Sequence, residues 1–276
     1  MIPFNFEYFR PETIEEALDL YEAEWKLGKK VIFYSGGTEV ITFARGGKLT
    51  MDVVIDLKGI PECNTLAVEE DQLVIGSAVT LNDLADSDLF PLAGETVKKI
   101  ADHTSNNKIT VGGNLLSRLP YREAMLPLLV TDALAVTAGP KEKDILPVES
   151  LVKTDLPAGG FLTQIKVPLA YIQEPYLSLK RTRTSVIGYP IVSLAALVAT
   201  GRIRIAFSGV SNLPFRSSVI EGILNESSLS VSERVQKAIA KLPVQVMDDF
   251  LASEEYREYT LSTLLTETIQ RLEASL

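Results

Sequence analysis

Thr110-Val111-Gly112-Gly113-Asn114 is the stretch that decides the fold, together with a similar one earlier in the chain, Ser35-Gly36-Gly37-Thr38-Glu39. Each joins a glycine pair to a hydroxyl residue and adjoins an apolar run. Paired glycines let the backbone approach a ligand closely and expose several N–H groups, as in a phosphate or pyrophosphate cradle. A single glycine pair is more often a tight turn between strands. Because two such pairs each carry a threonine and a carboxylate or amide, we predict that main-chain amides of both loops grip one diphosphate.

The composition excludes several classes of function. The chain has 276 residues, 46% hydrophobic and 23% charged, which is ordinary for a soluble globular protein and sufficient for two domains. The single cysteine, Cys63, forms no intrachain disulfide and cannot alone hold an iron–sulfur cluster. The single histidine, His103, argues against a zinc site or a Ser–His nucleophile. The lack of an intrachain disulfide favours a reducing cytoplasm. The net charge of −9 argues against nucleic-acid binding, and without a long apolar run we expect no membrane span.

The first part of the chain alternates short apolar strands with helical patterns, which favours an α+β or α/β nucleotide-binding domain. Thr13 with Glu16, and Thr80 with Asp83, are typical of capping boxes and predict helices from Ile14 and near Leu81. A further helix is predicted around Leu92 to His103, with His103 as its C-terminal cap. The predicted strands are Val31–Tyr34, Val53–Leu57, Leu73–Gly76, Ala133–Thr137 and Phe161–Val167.

A boundary is predicted between Pro168 and Pro175, where Pro, Ala and Gln separate two patterned regions. Beyond it, strands come first and helices follow, which indicates a small antiparallel sheet covered by helices. Gly201 marks a hairpin between the last two strands. The strands are predicted at Tyr176–Lys180, Pro190–Thr200 and Arg202–Val210, and the helices at Pro214–Leu224, Val231–Leu242 and Glu254–Leu276.

The two glycine motifs resemble the A-G-G-T-D-L and T-[IV]-G-G-N motifs of the FAD-binding (medium) subunit of molybdenum hydroxylases, the family of xanthine dehydrogenase and carbon monoxide dehydrogenase. The resemblance covers nearly the whole chain, through Pro11–Leu20, Val54–Leu57, Ile75–Thr80 and Leu162–Pro168. It implies an α+β fold with a two-part FAD-binding domain of the PCMH type, similar to vanillyl-alcohol oxidase, over residues 1–170, in subdomains of about 1–57 and 58–170. A smaller domain of a three-stranded antiparallel sheet plus helices would follow over residues 171–276.

The resemblance also implies a role for each matching residue. In the first motif, Ser35 begins the cofactor-binding loop, and the backbone amides and a hydroxyl that follow it would bind the FAD pyrophosphate. Glu39 would stand where the family has an acidic residue. The residues involved in the pyrophosphate contact are Gly36, Gly37 and Thr38. A second wall would be formed by Thr110, Gly112, Gly113 and Asn114.

Four further residues would contact the cofactor outside the glycine motifs. Glu123 would hydrogen-bond a nucleotide hydroxyl, and Leu162 would pack on the adenine end. Lys180 would approach from the C-terminal domain, and Tyr189 would lie beside the isoalloxazine ring. The residues alone leave other roles open: exposed carboxylates at Glu39 and Glu123, a solvated edge strand at Lys180 and a core position for Tyr189. Arg118 and Arg122 are either surface charges or partners of the cofactor phosphates or of NAD⁺.

As implied by the resemblance, the chain carries FAD and transfers electrons within a larger enzyme. Electrons would come from a [2Fe-2S] cluster on a small subunit, and originally from a molybdopterin-binding large subunit, and leave as hydride to NAD⁺ or another acceptor. The flavin does the redox chemistry, so no catalytic side chain and no metal ligand is predicted in this chain. The alternatives are a stand-alone flavin oxidoreductase of the same fold and a flavin-free nucleotide-binding module.

Overall fold

The strands form three sheets in the computed structural model, which describes residues 1–140, 143–185 and 187–275. The first sheet is parallel, in the order β1–β3–β2, and its strands are β1 (Glu7–Phe9), β2 (Val31–Tyr34) and β3 (Val53–Asp56). Two helices connect these strands, α1 (Ile14–Lys26) and α2 (Thr38–Arg45). Thr13 caps α1 as predicted by accepting a hydrogen bond from the Glu16 amide, while the Glu16 carboxylate accepts from the Glu12 amide instead of the Thr13 amide.

The second sheet is antiparallel and has five strands in the order β4–β5–β8–β6–β7. Its strands are β4 (Leu66–Glu69), β5 (Gln72–Gly76), β6 (Leu134–Ala138), β7 (Lys143–Pro147) and β8 (Phe161–Pro168). Its helices are α3 (Pro61–Asn64), α4 (Leu81–Asp86), α5 (Pro91–Val97), α6 (His103–Asn106), α7 (Val111–Leu115), α8 (Met125–Val130) and α9 (Ser150–Lys153). Apolar side chains of α4, α5, α7, α8 and α9 form the largest core cluster with the inner face of this sheet.

The predicted helix ending at His103 is wrong. α5 ends at Val97, and the Asn106 amide group donates to the Val97 and Ala101 carbonyls, which a continuing helix would have used itself. Asp102 then caps α6 through the Ser105 amide, so His103 is the first residue of a helix and not a C-terminal cap.

The third sheet is antiparallel, in the order β12–β11–β10–β9, with strands β9 (Tyr176–Thr182), β10 (Pro190–Ala199), β11 (Arg202–Ser208) and β12 (Phe215–Arg216). The predicted hairpin is present, because Thr200 and Gly201 both have positive φ, as a two-residue turn of this kind requires. The helices are α10 (Ser218–Leu224), α11 (Val231–Ala240) and α12 (Glu254–Glu273). α10 begins later than predicted, since Ser217 is its cap and Phe215–Arg216 add a fourth, short strand. The predicted end of the last helix, Leu276, lies outside the described residues.

Strand β10 joins the two halves of the core, because it is buried along its whole length. Ala195 and Leu197 belong to the core of the second sheet, whereas Leu194 and Ala196 belong to the core beneath α10, α11 and α12. A strand buried on both faces has an unbroken apolar run, as here. This packing brings the residue before β10, Tyr189, to the cleft described below. Within the described residues, none of the helices combines the length and hydrophobicity needed to span a bilayer.

Candidate functional site

The two glycine loops meet across one cleft of about 580 Å³. The first loop connects β2 to α2, and the second begins beside the isolated bridge between Thr80 and Thr110 and enters α7. A Cβ on Gly36 would overlap the Lys108 carbonyl oxygen and lie 3.2 Å from the Thr110 nitrogen, so only glycine permits this approach. Loops 75 residues apart in sequence thus share a site, as the sequence predicts.

The first loop supplies the free hydrogen-bond donors. Gly37 has a φ of 73°, in the left-handed region, and stands at the N-cap of α2 without a side-chain cap. No acceptor among the described residues takes a hydrogen bond from the amides between Gly36 and Val40. The Ser35 hydroxyl oxygen is likewise buried and unpartnered within the described part of the chain. Unpaired amides at a helix N-terminus favour an anion, so this side of the cleft suits a phosphate group.

The second loop uses its amides internally. The Gly112 amide donates to the Ser77 carbonyl (2.9 Å), the Gly113 amide to the Thr110 hydroxyl (3.2 Å) and the Asn114 amide to the Thr110 carbonyl (2.9 Å). The Asn114 side chain accepts from the Ala124 amide (3.0 Å) and so holds the start of α8. Because these amides have acceptors within the protein, the structure favours a role in shaping the cleft for the second loop, and contact of its amides with a diphosphate stays a prediction.

Glycine at 113 keeps the second wall open. Gly113 is exposed and lines the cleft, and a Cβ there would have only the Thr110 hydroxyl within 4 Å, at 2.9 Å. Gly112 has a different role, since a Cβ there would lie 2.7 Å from the Ser77 Cβ and 2.8 Å from its carbonyl oxygen. Gly112 allows the loop to pack on residue 77, whereas Gly113 leaves space for a ligand.

Glu39 ties the first loop to the segment that follows α7. Its carboxylate accepts a hydrogen bond from the Ser117 hydroxyl (2.5 Å) and another from the Arg118 amide (3.0 Å). Arg122 braces the same segment by donating to the Ser117 carbonyl (2.8 Å) and the Leu151 carbonyl (3.2 Å). Arg122 does not line the cleft, and its hydrogen bonds support the protein backbone here. A contact of Arg122 with the cofactor phosphates or with NAD⁺ stays a prediction. Ser117 lines the cleft, and sequence reasoning missed it because its partner is 78 residues away.

Glu123 and Lys180 pair with each other instead of lining the cleft. Their charged atoms lie 2.8 Å apart, the side chains are 5% and 3% exposed, and Lys180 also donates to the Lys99 carbonyl (2.7 Å). Burial raises the pKa of the Glu123 carboxyl, and the adjacent Lys180 ammonium opposes that rise. The solvated-edge interpretation of Lys180 and the exposed-carboxylate interpretation of Glu123 are wrong. Direct contact of either residue with a nucleotide stays a prediction.

Leu162 and Tyr189 both line the cleft. Leu162 lies on β8 and is buried, as expected of an apolar surface against which a nucleotide packs. Tyr189 is half exposed, and its ring stacks on Tyr121 with centroids 4.9 Å apart and planes at 25°. Tyr189 is therefore a wall residue, and the core position left open by the sequence is wrong.

Comparison with known proteins identifies the family. The family described as the FAD binding domain in molybdopterin dehydrogenase matches residues 4–170, more than half of the chain. The chain belongs to this family. The cofactor of this molybdopterin-dehydrogenase FAD domain is accordingly FAD, and the free amides of the first loop and the open wall at Gly113 fit a diphosphate.

The similarity to single relatives extends beyond the residues matched by the family. The carbon monoxide dehydrogenase medium chain of Hydrogenophaga pseudoflava is 28% identical over 78% of each chain. That of Afipia carboxidovorans is 26% identical over 99% of each, and the glyceraldehyde dehydrogenase medium chain of Sulfolobus acidocaldarius is 24% identical over 96% of this chain and 97% of its own.

Solved structures confirm the predicted α+β fold. A chain of a Cu,Mo carbon monoxide dehydrogenase superposes with a TM-score of 0.87 at 24% identity, covering 100% of both chains. A chain of quinoline 2-oxidoreductase from Pseudomonas putida 86 gives the same TM-score at 16% identity, covering 99% of this chain and 98% of its own.

Proposed function

We propose that this chain is the FAD-carrying electron-transfer subunit of a multi-subunit molybdenum hydroxylase, with the FAD diphosphate held in the cleft between the two glycine loops. The observation that carries the placement is the run of free amides from Gly36 to Val40 at the N-terminus of α2, facing the open wall at Gly113. Backbone amides and a helix dipole bind a diphosphate without basic side chains, which agrees with the net charge of −9.

The other cleft residues fit the remaining parts of the cofactor. The Thr38 hydroxyl adds a donor beside the amides, and the Leu162 side chain offers an apolar surface to the nucleotide. Tyr189, supported from behind by Tyr121, provides an aromatic face for the isoalloxazine ring. When bound, FAD supplies the electron and hydride chemistry, while the residues of this chain bind it, orient it and exclude water.

The partners in this proposal are a [2Fe-2S] small subunit, a molybdopterin-binding large subunit and an electron acceptor, which is NAD⁺ or another compound. The names of the relatives support a multi-subunit assembly, because they are medium chains of larger dehydrogenases. Exposed aromatic residues on the C-terminal domain support it as well, since large exposed apolar side chains mark contact surfaces. These residues are Phe250 (78% exposed), Tyr256 (53%) and Tyr259 (70%).

The cofactor part of the proposal is tested with the purified chain. We expect about one FAD, and no FMN, to be released per chain on denaturation, or to be taken up again after its removal. A colourless chain that cannot be reconstituted would identify a flavin-free nucleotide-binding module and overturn the proposal.

The electron-transfer part is tested in the native complex. A tagged chain purified from its own cells should bring down a molybdopterin-binding large subunit and a [2Fe-2S] small subunit. Anaerobic addition of NADH should reduce the bound flavin, since hydride transfer to NAD⁺ is reversible. A yellow chain that purifies alone and oxidises a small substrate directly would instead be a stand-alone flavin oxidoreductase.

A further inference from the structure

A lysine beneath the first glycine loop contacts that loop from outside the cleft. The Lys58 ammonium donates to the Ser35 carbonyl at 2.8 Å and to both carboxylate oxygens of Asp56 at 2.8 and 2.7 Å. Lys58 does not line the cleft, so it has no direct access to a ligand there. Its side chain is nevertheless the contact that fixes the carbonyl at the start of the loop.

Asp56 fixes Lys58 in this position. The Asp56 side chain is 3% exposed and accepts hydrogen bonds from the Tyr8 hydroxyl (2.5 Å) and from the Lys58 amide (3.0 Å). Burial of the Tyr8 hydroxyl and its hydrogen bond to Asp56 raise the pKa of Tyr8 to about 12, so the hydroxyl remains a donor at neutral pH. A buried carboxylate is stable only when its oxygens are paired, and Tyr8 and Lys58 together pair both of them.

Lys58 also reaches the second glycine of the loop, through Tyr34. The Lys58 ammonium lies 4.4 Å from the centroid of the Tyr34 ring, within cation–π distance. The Tyr34 ring occupies the space that a Cβ on Gly37 would need. The same side chain therefore supports the loop at Ser35 and, through the ring, at Gly37.

The geometry of the peptide bond determines what this contact does. In a planar trans peptide the C=O and the following N–H point in opposite directions. Because the Ser35 carbonyl points at Lys58, the Gly36 N–H points away from it, and Gly36 itself lines the cleft. Rotation of this peptide would turn a carbonyl oxygen toward the cleft in place of a donor and repel an anionic ligand there.

We propose that Lys58, held by Asp56, is a positioning residue that keeps the Ser35–Gly36 peptide oriented with its amide toward the FAD diphosphate. This inference rests on the proposed function, since it assigns the amide to the diphosphate. Lys58 itself contacts neither the cofactor nor a substrate. Asp56 neutralises the charge of Lys58, so Lys58 contributes to FAD binding by fixing the orientation of the Ser35–Gly36 peptide.

The test compares Lys58→Met, which keeps the aliphatic stem but loses the donor, with Lys58→Arg, which keeps a donor. We expect the Met variant to bind FAD about 10- to 100-fold more weakly in flavin-fluorescence titrations, the range expected when the Gly36 amide loses its hydrogen bond to the charged diphosphate. The Arg variant should recover most of the affinity. Lys153→Ala, which removes a surface lysine in an i,i+4 pair with Glu149, is the control and should not change it.

A second measurement separates positioning from general destabilisation. In ¹⁵N-labelled ligand-free chain, we expect the Gly36 amide signal to shift when inorganic pyrophosphate is added, and Lys58→Met to move that signal and weaken the response. Tyr8→Phe removes a hydrogen bond to Asp56 at a half-exposed ring, and it should shift the Gly36 signal in the same direction by a smaller amount. This variant replaces Lys58→Met in the test if Lys58→Met does not fold.

Parent-like FAD affinity in Lys58→Met, or a Gly36 signal that is unchanged by all three substitutions at positions 8 and 58, would overturn the inference. Failure of the parent chain to bind FAD would instead overturn the proposed function, and the Gly36 signal would still report whether Lys58 orients the peptide.

Discussion

The two glycine loops are nearly alike in sequence and opposite in hydrogen bonding. In the first, the amides from Gly36 to Val40 have no acceptor among the residues the structure covers; in the second, the amides of Gly112 and Gly113 are both used within the protein. The glycines also have different roles, because Gly36 lets the two loops approach each other, whereas Gly113 keeps the cleft open. The same pair of glycines thus leaves hydrogen-bond donors free in the first loop and leaves space for a ligand beside the second.

The order of residues within each motif explains the difference. Thr110 precedes its glycine pair and is therefore the N-cap of α7, where its hydroxyl accepts from the Gly113 amide. Thr38 follows its glycine pair, so the N-cap of α2 is Gly37, which has no side chain to cap with. A hydroxyl residue before the glycines closes the helix end, and one after them leaves it open to a ligand.

Gly113→Val should have the largest effect on cofactor binding. The branched side chain fills the open wall, and we expect FAD affinity to fall at least about 100-fold. The free energy of unfolding should fall by only about 1 kcal/mol, because the new Cβ would lie 2.9 Å from the Thr110 hydroxyl and disturb the cap of α7. The measurements are flavin-fluorescence titration and denaturant unfolding of the ligand-free chain. Gly222→Val is the matched control, because Gly222 is an exposed helical glycine with nothing within 4 Å of its Cβ position. Stoichiometric FAD in the Gly113 variant would show that the second loop does not border the cofactor.

Glu39→Ala should have an intermediate effect, since it removes the contact between the first loop and the segment that follows α7. Loss of two hydrogen bonds to a carboxylate should lower the free energy of unfolding by about 1–3 kcal/mol and weaken FAD binding about tenfold. In a double-mutant cycle with Ser117→Ala, the coupling energy should be about 1–2 kcal/mol, because the Ser117 hydroxyl donates directly to Glu39. Additive effects of the two substitutions would mean that the loops hold their relative position without this contact.

The sequence predicted the features that depend on local pattern. Apolar runs give the strands β2, β3, β8 and β10, and the glycine motifs give the two loops of the cleft. These features follow from short-range rules: strand periodicity, helix capping and the freedom of glycine to approach another backbone.

The features that the sequence missed depend on partners that are distant in the chain. The Gly112 amide donates a hydrogen bond to the Ser77 carbonyl, and Glu123 pairs with Lys180, which is 57 residues away in the sequence. Resemblance to a family transfers positions, but it does not state with which residue a side chain pairs, so it does not reveal the ion pair between Glu123 and Lys180. The contact between Lys58 and the Ser35 carbonyl likewise has no local signal, since it depends on the pairing of β2 with β3.

Thr110→Val should have the smallest effect on FAD affinity, and it tests whether the second loop contributes no hydrogen bond to the cofactor. Loss of the N-cap of α7 should lower the free energy of unfolding by about 1 kcal/mol. FAD affinity should change by less than about threefold, because in our assignment the second loop donates nothing to the diphosphate. Thr110→Ser keeps the capping hydroxyl and should restore the stability, which unfolding and FAD titration of the two variants will measure side by side. A tenfold or larger loss of affinity in Thr110→Val, with Thr110→Ser unaffected, would contradict the assignment, because the Thr110 hydroxyl would then be needed for cofactor binding as well as for stability.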